Sequence, residues 1–157
     1  LARKVNDFMP RHMFNLTVSA LDRIGKRPEG ANVAMLGWAF INDSDDARNP
    51  PSETYRDLLL EAGAKVTVHD PHVLSYPEVE LYRDIDEVVK GADCIAVMTA
   101  HSNYFDLDPA KMKKLTGQKN PIIIDGRNVV APDKYIDLGF VYKGIGRGDK
   151  NSHDIRV

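Results

Sequence analysis

The 157 residues carry 43% hydrophobic and 28% charged side chains and a net charge of -2, the composition of a soluble globular domain with a core of its own. Nothing in that balance argues for nucleic acid or another polyanion as a partner, and no stretch approaches the roughly 18 apolar residues of a membrane span or the basic-then-apolar start of a signal peptide. The one cysteine, Cys94, excludes an internal disulfide and fits a cytoplasmic location.

The chain starts at Leu1 and is read as a piece of something longer. Residues 1–25 read as one long helix. Val5, Phe8, Met9, His12, Met13, Leu16, Ser19, Ala20, Arg23 and Ile24 trace an apolar stripe, opposite Arg3, Asp7, Arg11, Asn15 and Asp22. Pro10 lies inside it, where a kink is expected. Phe14 and Val18 widen the stripe, so two readings stand side by side: packing on its own domain, or packing also on a missing domain or a twin subunit. Residues 25–30 form a loop. Asn32 to Leu36 is a strand, and Ser52 to Ala62 a helix with Ser52 as its candidate cap and Tyr55, Leu58, Leu59 and Ala62 inward. Lys65 to His69 is a strand stopped by Asp70-Pro71, and Leu81 lies in a short extended piece. Ile85 to Lys90 is a helix capped by Asp84. Cys94 to Met98 is a strand, Pro109 to Leu115 a helix, and Ile122 to Ile124 a strand ending at Asp125-Gly126. A helical turn over 132–137 and a strand over Phe140 to Tyr142 complete the pattern, with a wandering tail from Gly144. Strands alternating with short helices predict an α/β, Rossmann-like three-layer domain with a mostly parallel sheet, preceded by the long helix.

Ligands of open parallel sheets bind outside the carboxyl ends of the strands. That edge collects Gly37 to Asn49, His69-Asp70-Pro71, Thr99 to Tyr104 and Asp125 to Asn128. The first turn has one glycine, followed by Asp43, Asp45 and Asp46, where a G-x-G-x-x-G would cradle a pyrophosphate. The aspartates would repel that group, so a dinucleotide is not expected in the ordinary way. Asp70 ends the second strand, where a Rossmann fold places its ribose-binding acid; a plain strand-ending turn is the competing reading. Arg48, Arg127 and Phe40 lie at this edge. They suit a phosphate-bearing nucleotide, unless Arg48 pairs with the loop aspartates and Arg127 with Asp125. Cys94, inside "CIAVM", is expected to be buried and inert. The five histidines show no metal spacing; His69-x-x-His72 comes nearest, and no metal site is expected.

"VAMLGWAFINDSDDARNPPS", "GAKVTVHDP", "GADCIAVMTAHSNYFDLD" and "IIIDGRNVV" occur in the order and at the spacing of the carboxyl-terminal domain of the UDP-glucose/GDP-mannose dehydrogenase family, which the chain resembles over residues 3–147. "VNDFMPRHM" is similar to the end of that family's central helix and points to the branch that oxidises UDP-N-acetylhexosamines, UDP-N-acetylmannosamine among them. The resemblance implies residues 1–27 as the end of a central dimerisation helix, 28–147 as a nucleotide-sugar-binding domain and 148–157 as a tail. It implies a homodimer formed through the N-terminal helix, a UDP-sugar substrate, and NAD held mainly by a domain absent from this chain. The sugar C6 alcohol is oxidised to a carboxylate in two hydride transfers, through a thiohemiacetal and a thioester on a cysteine of the central domain. Cys94 is not that cysteine, so this chain alone is expected to be inactive. Residue by residue, Gly37-Trp38-Ala39-Phe40-Ile41 matches the family's G-x-A-F-K turn, which lays Phe40 and Ile41 along the nucleotide. Asp46-Ala47-Arg48 matches D-x-R, whose arginine reaches the NAD. Asp125-Gly126-Arg127 matches D-G-R, whose arginine contacts the sugar nucleotide. Ile41 departs from the family lysine, so any contact made by that ammonium is lost, whereas a backbone contact survives. Two alternatives are a non-catalytic nucleotide-binding or regulatory module with a flavodoxin-like fold, and a different enzyme that uses Asp70 on the NAD ribose.

Overall fold

A computed structural model describes residues 2–39, 41–47 and 50–145, with side chains from residue 9 onward. The elements are α1 (Ala2–Arg23), β1 (Asn32–Leu36), α2 (Pro51–Glu61), β2 (Lys65–His69), β3 (Leu81–Tyr82), α3 (Ile85–Val89), β4 (Cys94–Val97), α4 (Pro109–Thr116), β5 (Ile122–Asp125), α5 (Pro132–Ile136) and β6 (Val141–Gly144), with a 3-10 turn at Ser102–Tyr104. The strands form one six-stranded sheet in the order β3-β2-β1-β4-β5-β6, every pairing parallel. This is the doubly wound dinucleotide-fold order, not the flavodoxin-like order of the alternative reading.

Alternation along the strands builds three layers. Val33 and Met35, Cys94 and Ala96, and Ile122 and Ile124 face the layer that holds Met13, Ala20 and Leu21 of α1 and Tyr55 and Leu59 of α2. Ala34 and Leu36, Ile95 and Val97, and Ile123 face Val88 and Val89 of α3, Met112 of α4 and Tyr135 of α5. Both faces are covered, which is why "CIAV" and "IIID" are buried throughout. The Cys94 thiol is fully buried, and that burial pushes its pKa up, as expected of an inert core cysteine.

The long helix packs on its own domain, against α2, β5 and β6. Its buried line differs from the expected stripe. Ser19 is exposed, whereas Thr17 is fully buried beside Met13, Ala20 and Leu21. Thr17 can lie inside because its Oγ1 donates to the Met13 carbonyl (2.9 Å) and meets the Tyr55 hydroxyl of α2 (2.7 Å). The expected side chains of Val5 and Phe8 lie outside the described residues. The helix runs through the buried Pro10 without a break.

Ser52 does not cap α2. Pro50 takes the cap position in an extended conformation with Pro51 in the first turn, and the Ser52 hydroxyl donates to the Trp38 carbonyl (2.8 Å). Asp84 caps α3 as expected, accepting from the Asp86 N–H, and Asp108 does the same for α4 through Ala110. Among the described residues no helix is long and apolar enough to cross a membrane.

Candidate functional site

The loops after β1, β2, β4 and β5 meet at the carboxyl edge of the sheet, and hydrogen bonds tie three of them into one unit. Ladder bonds continue past the strands, from Gly37 N–H to the His69 carbonyl (2.7 Å) and from Gly126 N–H to the Val97 carbonyl (3.0 Å). Gly37 has φ of +101°, and a Cβ built there would lie 2.6 Å from Cβ of Thr99 and 2.8 Å from its backbone nitrogen. The Thr99 hydroxyl donates to the Ala39 carbonyl (2.8 Å). Thr99 thus packs directly on the Gly37 backbone beside the point between β1 and β4 where the strand order reverses.

Asp70 is the hub of this unit. It is fully buried, and five donors converge on it. Oδ2 accepts from Trp38 N–H (2.7 Å), Ala39 N–H (3.0 Å) and His101 Nε2 (3.0 Å); Oδ1 accepts from His72 N–H (2.7 Å) and Val73 N–H (2.9 Å). Burial alone would raise its pKa, but the bonds from His101, Trp38, Val73 and Ala39 outweigh that and hold the carboxylate well below its usual range. An acid so enclosed has no lone pair free for a ribose, so Asp70 does not fit the NAD-ligand reading.

His101, in the edge segment Thr99 to Tyr104, is fully buried. Its Nε2 donates to Asp70 while Nδ1 accepts from the Asp43 N–H (2.8 Å), which puts the ring proton on Nε2. Asp43, at φ of +54°, accepts from Ser102 N–H (2.7 Å) and the Ser102 hydroxyl (2.7 Å), and these bonds lower its pKa. Asn42 Oδ1 accepts from Ala100 N–H (3.0 Å). Residues 42–43 and 100–102 therefore latch reciprocally. Asp43, read from sequence as a charge that repels phosphate, is spent on its neighbouring loop. The same fold brings Nε2 of His72 to 3.7 Å from Asp43 Oδ1, with the His72 and His101 ring centroids 4.7 Å apart. No spacing rule could join residues 43, 72 and 101, which come from three separate loops.

Of the sequence-derived site residues, Ile41 is exposed and Arg127 half-buried, whereas Phe40 and Arg48 lie outside the described residues. Ile41 follows β1 and Arg127 follows β5. Only β4 separates those strands, so their ends are about 10 Å apart. Asp125, fully buried, gives Oδ1 to the Arg127 N–H (3.0 Å) and Oδ2 to the Val130 N–H (2.9 Å). Its oxygens are engaged with the main chain, which fixes the loop that presents the Arg127 guanidinium. A Cβ at Gly126 would lie 2.9 Å from Sδ of Met13, so α1 seats directly on this loop. A guanidinium on so braced a loop can offer a fork to phosphate oxygens.

Acid should weaken this edge from two sides. Burial lowers the pKa of His69 from its ordinary 6.5, outweighing its contacts with the Arg83 carbonyl and Asp70. A base with a depressed folded pKa loses folding stability as pH falls below its unfolded value, because the unfolded chain takes up the proton first. The Asp70 contribution is complete above the ordinary 3.8 and is lost as pH falls from there through its folded value. Urea midpoints should therefore drop between about pH 7.5 and about pH 5.5, and His69→Gln should flatten that step. An unchanged step in the variant would remove His69 as its cause.

Comparison with known proteins covers most of the chain. Residues 34–132 match the model of the UDP-glucose/GDP-mannose dehydrogenase family, UDP-binding domain. A UDP-N-acetyl-D-mannosamine dehydrogenase of Pyrococcus horikoshii is 32% identical over 149 residues, which is 95% of this chain and 33% of that protein. A UDP-glucose 6-dehydrogenase of Pseudomonas aeruginosa is 34% identical over 132 residues, 77% of this chain and 29% of that protein. The crystal structure of an NDP-N-acetyl-D-galactosaminuronic acid dehydrogenase from Methanosarcina mazei Go1 superposes with a TM-score of 0.91 at 62% identity, covering 94% of this chain and 31% of that one. The chain spans about a third of the length of these relatives.

Proposed function

Since the chain belongs to the UDP-glucose/GDP-mannose dehydrogenase family, within its UDP-binding domain, we propose that it is the sugar-nucleotide-binding, carboxyl-terminal part of an NAD-dependent enzyme that oxidises the C6 alcohol of a UDP-N-acetylhexosamine to the uronic acid. The observation that carries this reading is the match over residues 34–132, the span that holds the loops after β1, β2, β4 and β5 at the carboxyl edge of the sheet. Similarity to both a UDP-N-acetyl-D-mannosamine dehydrogenase and an NDP-N-acetyl-D-galactosaminuronic acid dehydrogenase supports an N-acetylated sugar.

In this proposal Arg127 holds the diphosphate, and Phe40 and the backbone of Ile41 lie along the nucleotide. The exposed Ile41 side chain covers apolar surface of the ligand and supplies no charge. NAD is not a resident of this chain in the ordinary Rossmann manner. Gly37 stands alone against Thr99 and Asp70 is saturated, so neither feature that would hold the cofactor is available. Arg48 instead reaches NAD carried by a preceding domain. The nucleophilic cysteine also lies outside this chain, because Cys94 is sealed in the core. Residues 1–27 end the dimerisation helix, 28–147 form the binding domain, and the full-length protein is a homodimer. The chain alone, given a UDP-N-acetylhexosamine and NAD, should produce no NADH, and the full-length enzyme should. Turnover by the 157-residue chain would overturn this division of labour.

A further inference from the structure

We propose that Asp43, His72 and His101 form a site for a divalent transition-metal ion of the zinc type, with water as the fourth ligand. One ligand atom from each residue lies within 4.8 Å of the other two. Asp43 Oδ1 is 3.7 Å from Nε2 of His72 and 4.0 Å from Nδ1 of His101. Tetrahedral zinc with bonds near 2.0–2.1 Å needs ligand separations of about 3.3 Å. Those two separations close by less than about 1 Å and the one between the two histidine nitrogens by about 1.5 Å at most, within the reach of side-chain rotation and a small loop movement.

Three further features suit a metal better than a chance cluster. Nε2 of His72 is shielded from solvent and has no hydrogen-bond partner among the described residues, so it has a lone pair or a proton to satisfy. His101 is oriented from behind, since Nε2 donates to the buried Asp70 carboxylate and Nδ1 faces Asp43 and His72. That is the carboxylate–histidine–metal arrangement, which fixes the ring and strengthens it as a ligand. Two imidazoles and one carboxylate favour zinc, cobalt or nickel over magnesium or calcium, which take oxygen ligands.

Loading has a structural consequence. The Nδ1 lone pair of His101 now accepts the Asp43 N–H, so the ion takes the place of that hydrogen bond. The Asp43 carboxylate keeps its Ser102 bonds, having lone pairs for both, while its backbone is released from the imidazole. The ion would thus re-seat the loop that runs from Ile41 toward Arg48 at the carboxyl edge.

The test is a zinc titration of the 157-residue chain against a chromophoric chelator, repeated with cobalt for its visible spectrum. The inference expects one bound equivalent, weakened at least about tenfold in His72→Ala and in Asp43→Asn and unchanged in His12→Ala. His72 contributes only its backbone N–H to the Asp70 hub, so His72→Ala should keep the fold, and circular dichroism checks that it does. Absence of a stoichiometric site, or binding that survives both substitutions, would overturn the inference.

Discussion

Asp70→Ala should remove about 4 kcal/mol or more of folding stability, a large part of the roughly 5–15 kcal/mol of a whole domain. Five donors lose their acceptor at once: the N–H groups of Trp38, Ala39, His72 and Val73, and Nε2 of His101. Each buried donor left unpaired costs about 1–3 kcal/mol, and water entering the space of a lost carboxylate can repair only some of them. Asp45→Ala, at an exposed position of the first loop, should stay within about 0.5 kcal/mol. Urea unfolding of the two variants beside the parent chain makes the comparison. A loss at Asp70 no greater than at Asp45 would mean that the carboxylate does not hold the edge together.

Gly37→Ala should cost about 3 kcal/mol or more. A φ of +101° penalises any side chain by about 1–2 kcal/mol. The added methyl also meets Thr99 at 2.6 Å on its side chain and 2.8 Å on its backbone nitrogen, so β1 and β4 must part or Thr99 must give up its bond to the Ala39 carbonyl. Gly25→Ala separates the two effects, because Gly25 shares a positive φ (+75°) but faces open space, and it should lose only the backbone part. Equal losses at the two positions, read from thermal or urea midpoints, would show that close approach at the switch point contributes nothing. The contrast also explains a first turn with a single glycine. That glycine serves strand packing, and no pyrophosphate requires the other two.

The architecture was legible because short apolar runs between turn residues carry strong signals. β1 and β2 have the expected bounds, and Asp84 caps its helix as its spacing before an apolar run suggested. What the pattern hid were polar groups with distant partners. A helical wheel places Ser19 and Thr17 by hydropathy, yet Thr17 is inside because Tyr55, 38 residues away, answers its hydroxyl. Ser52 looked like a cap because capping is local, but its partner is a carbonyl of the first loop. Asp70 looked like a strand-ending turn, and the turn is there in its bonds to the His72 and Val73 N–H groups. Its other three donors come from loops 31 or more residues away, which no local rule reaches. At the candidate site, Arg127 is placed by Asp125 in a motif visible in sequence, whereas the latch from His101 to Asp43 emerges only when the ends of β1 and β4 meet.

The central claim is that this edge binds the nucleotide of a UDP-sugar and not a dinucleotide. Calorimetric titration of the chain with UDP, with NAD in a parallel cell, tests it most directly. The account predicts saturable UDP binding that disappears in Arg127→Ala, with no heat of binding from NAD. Saturable NAD binding without UDP binding would contradict it and return Asp70 to the role of a cofactor ligand.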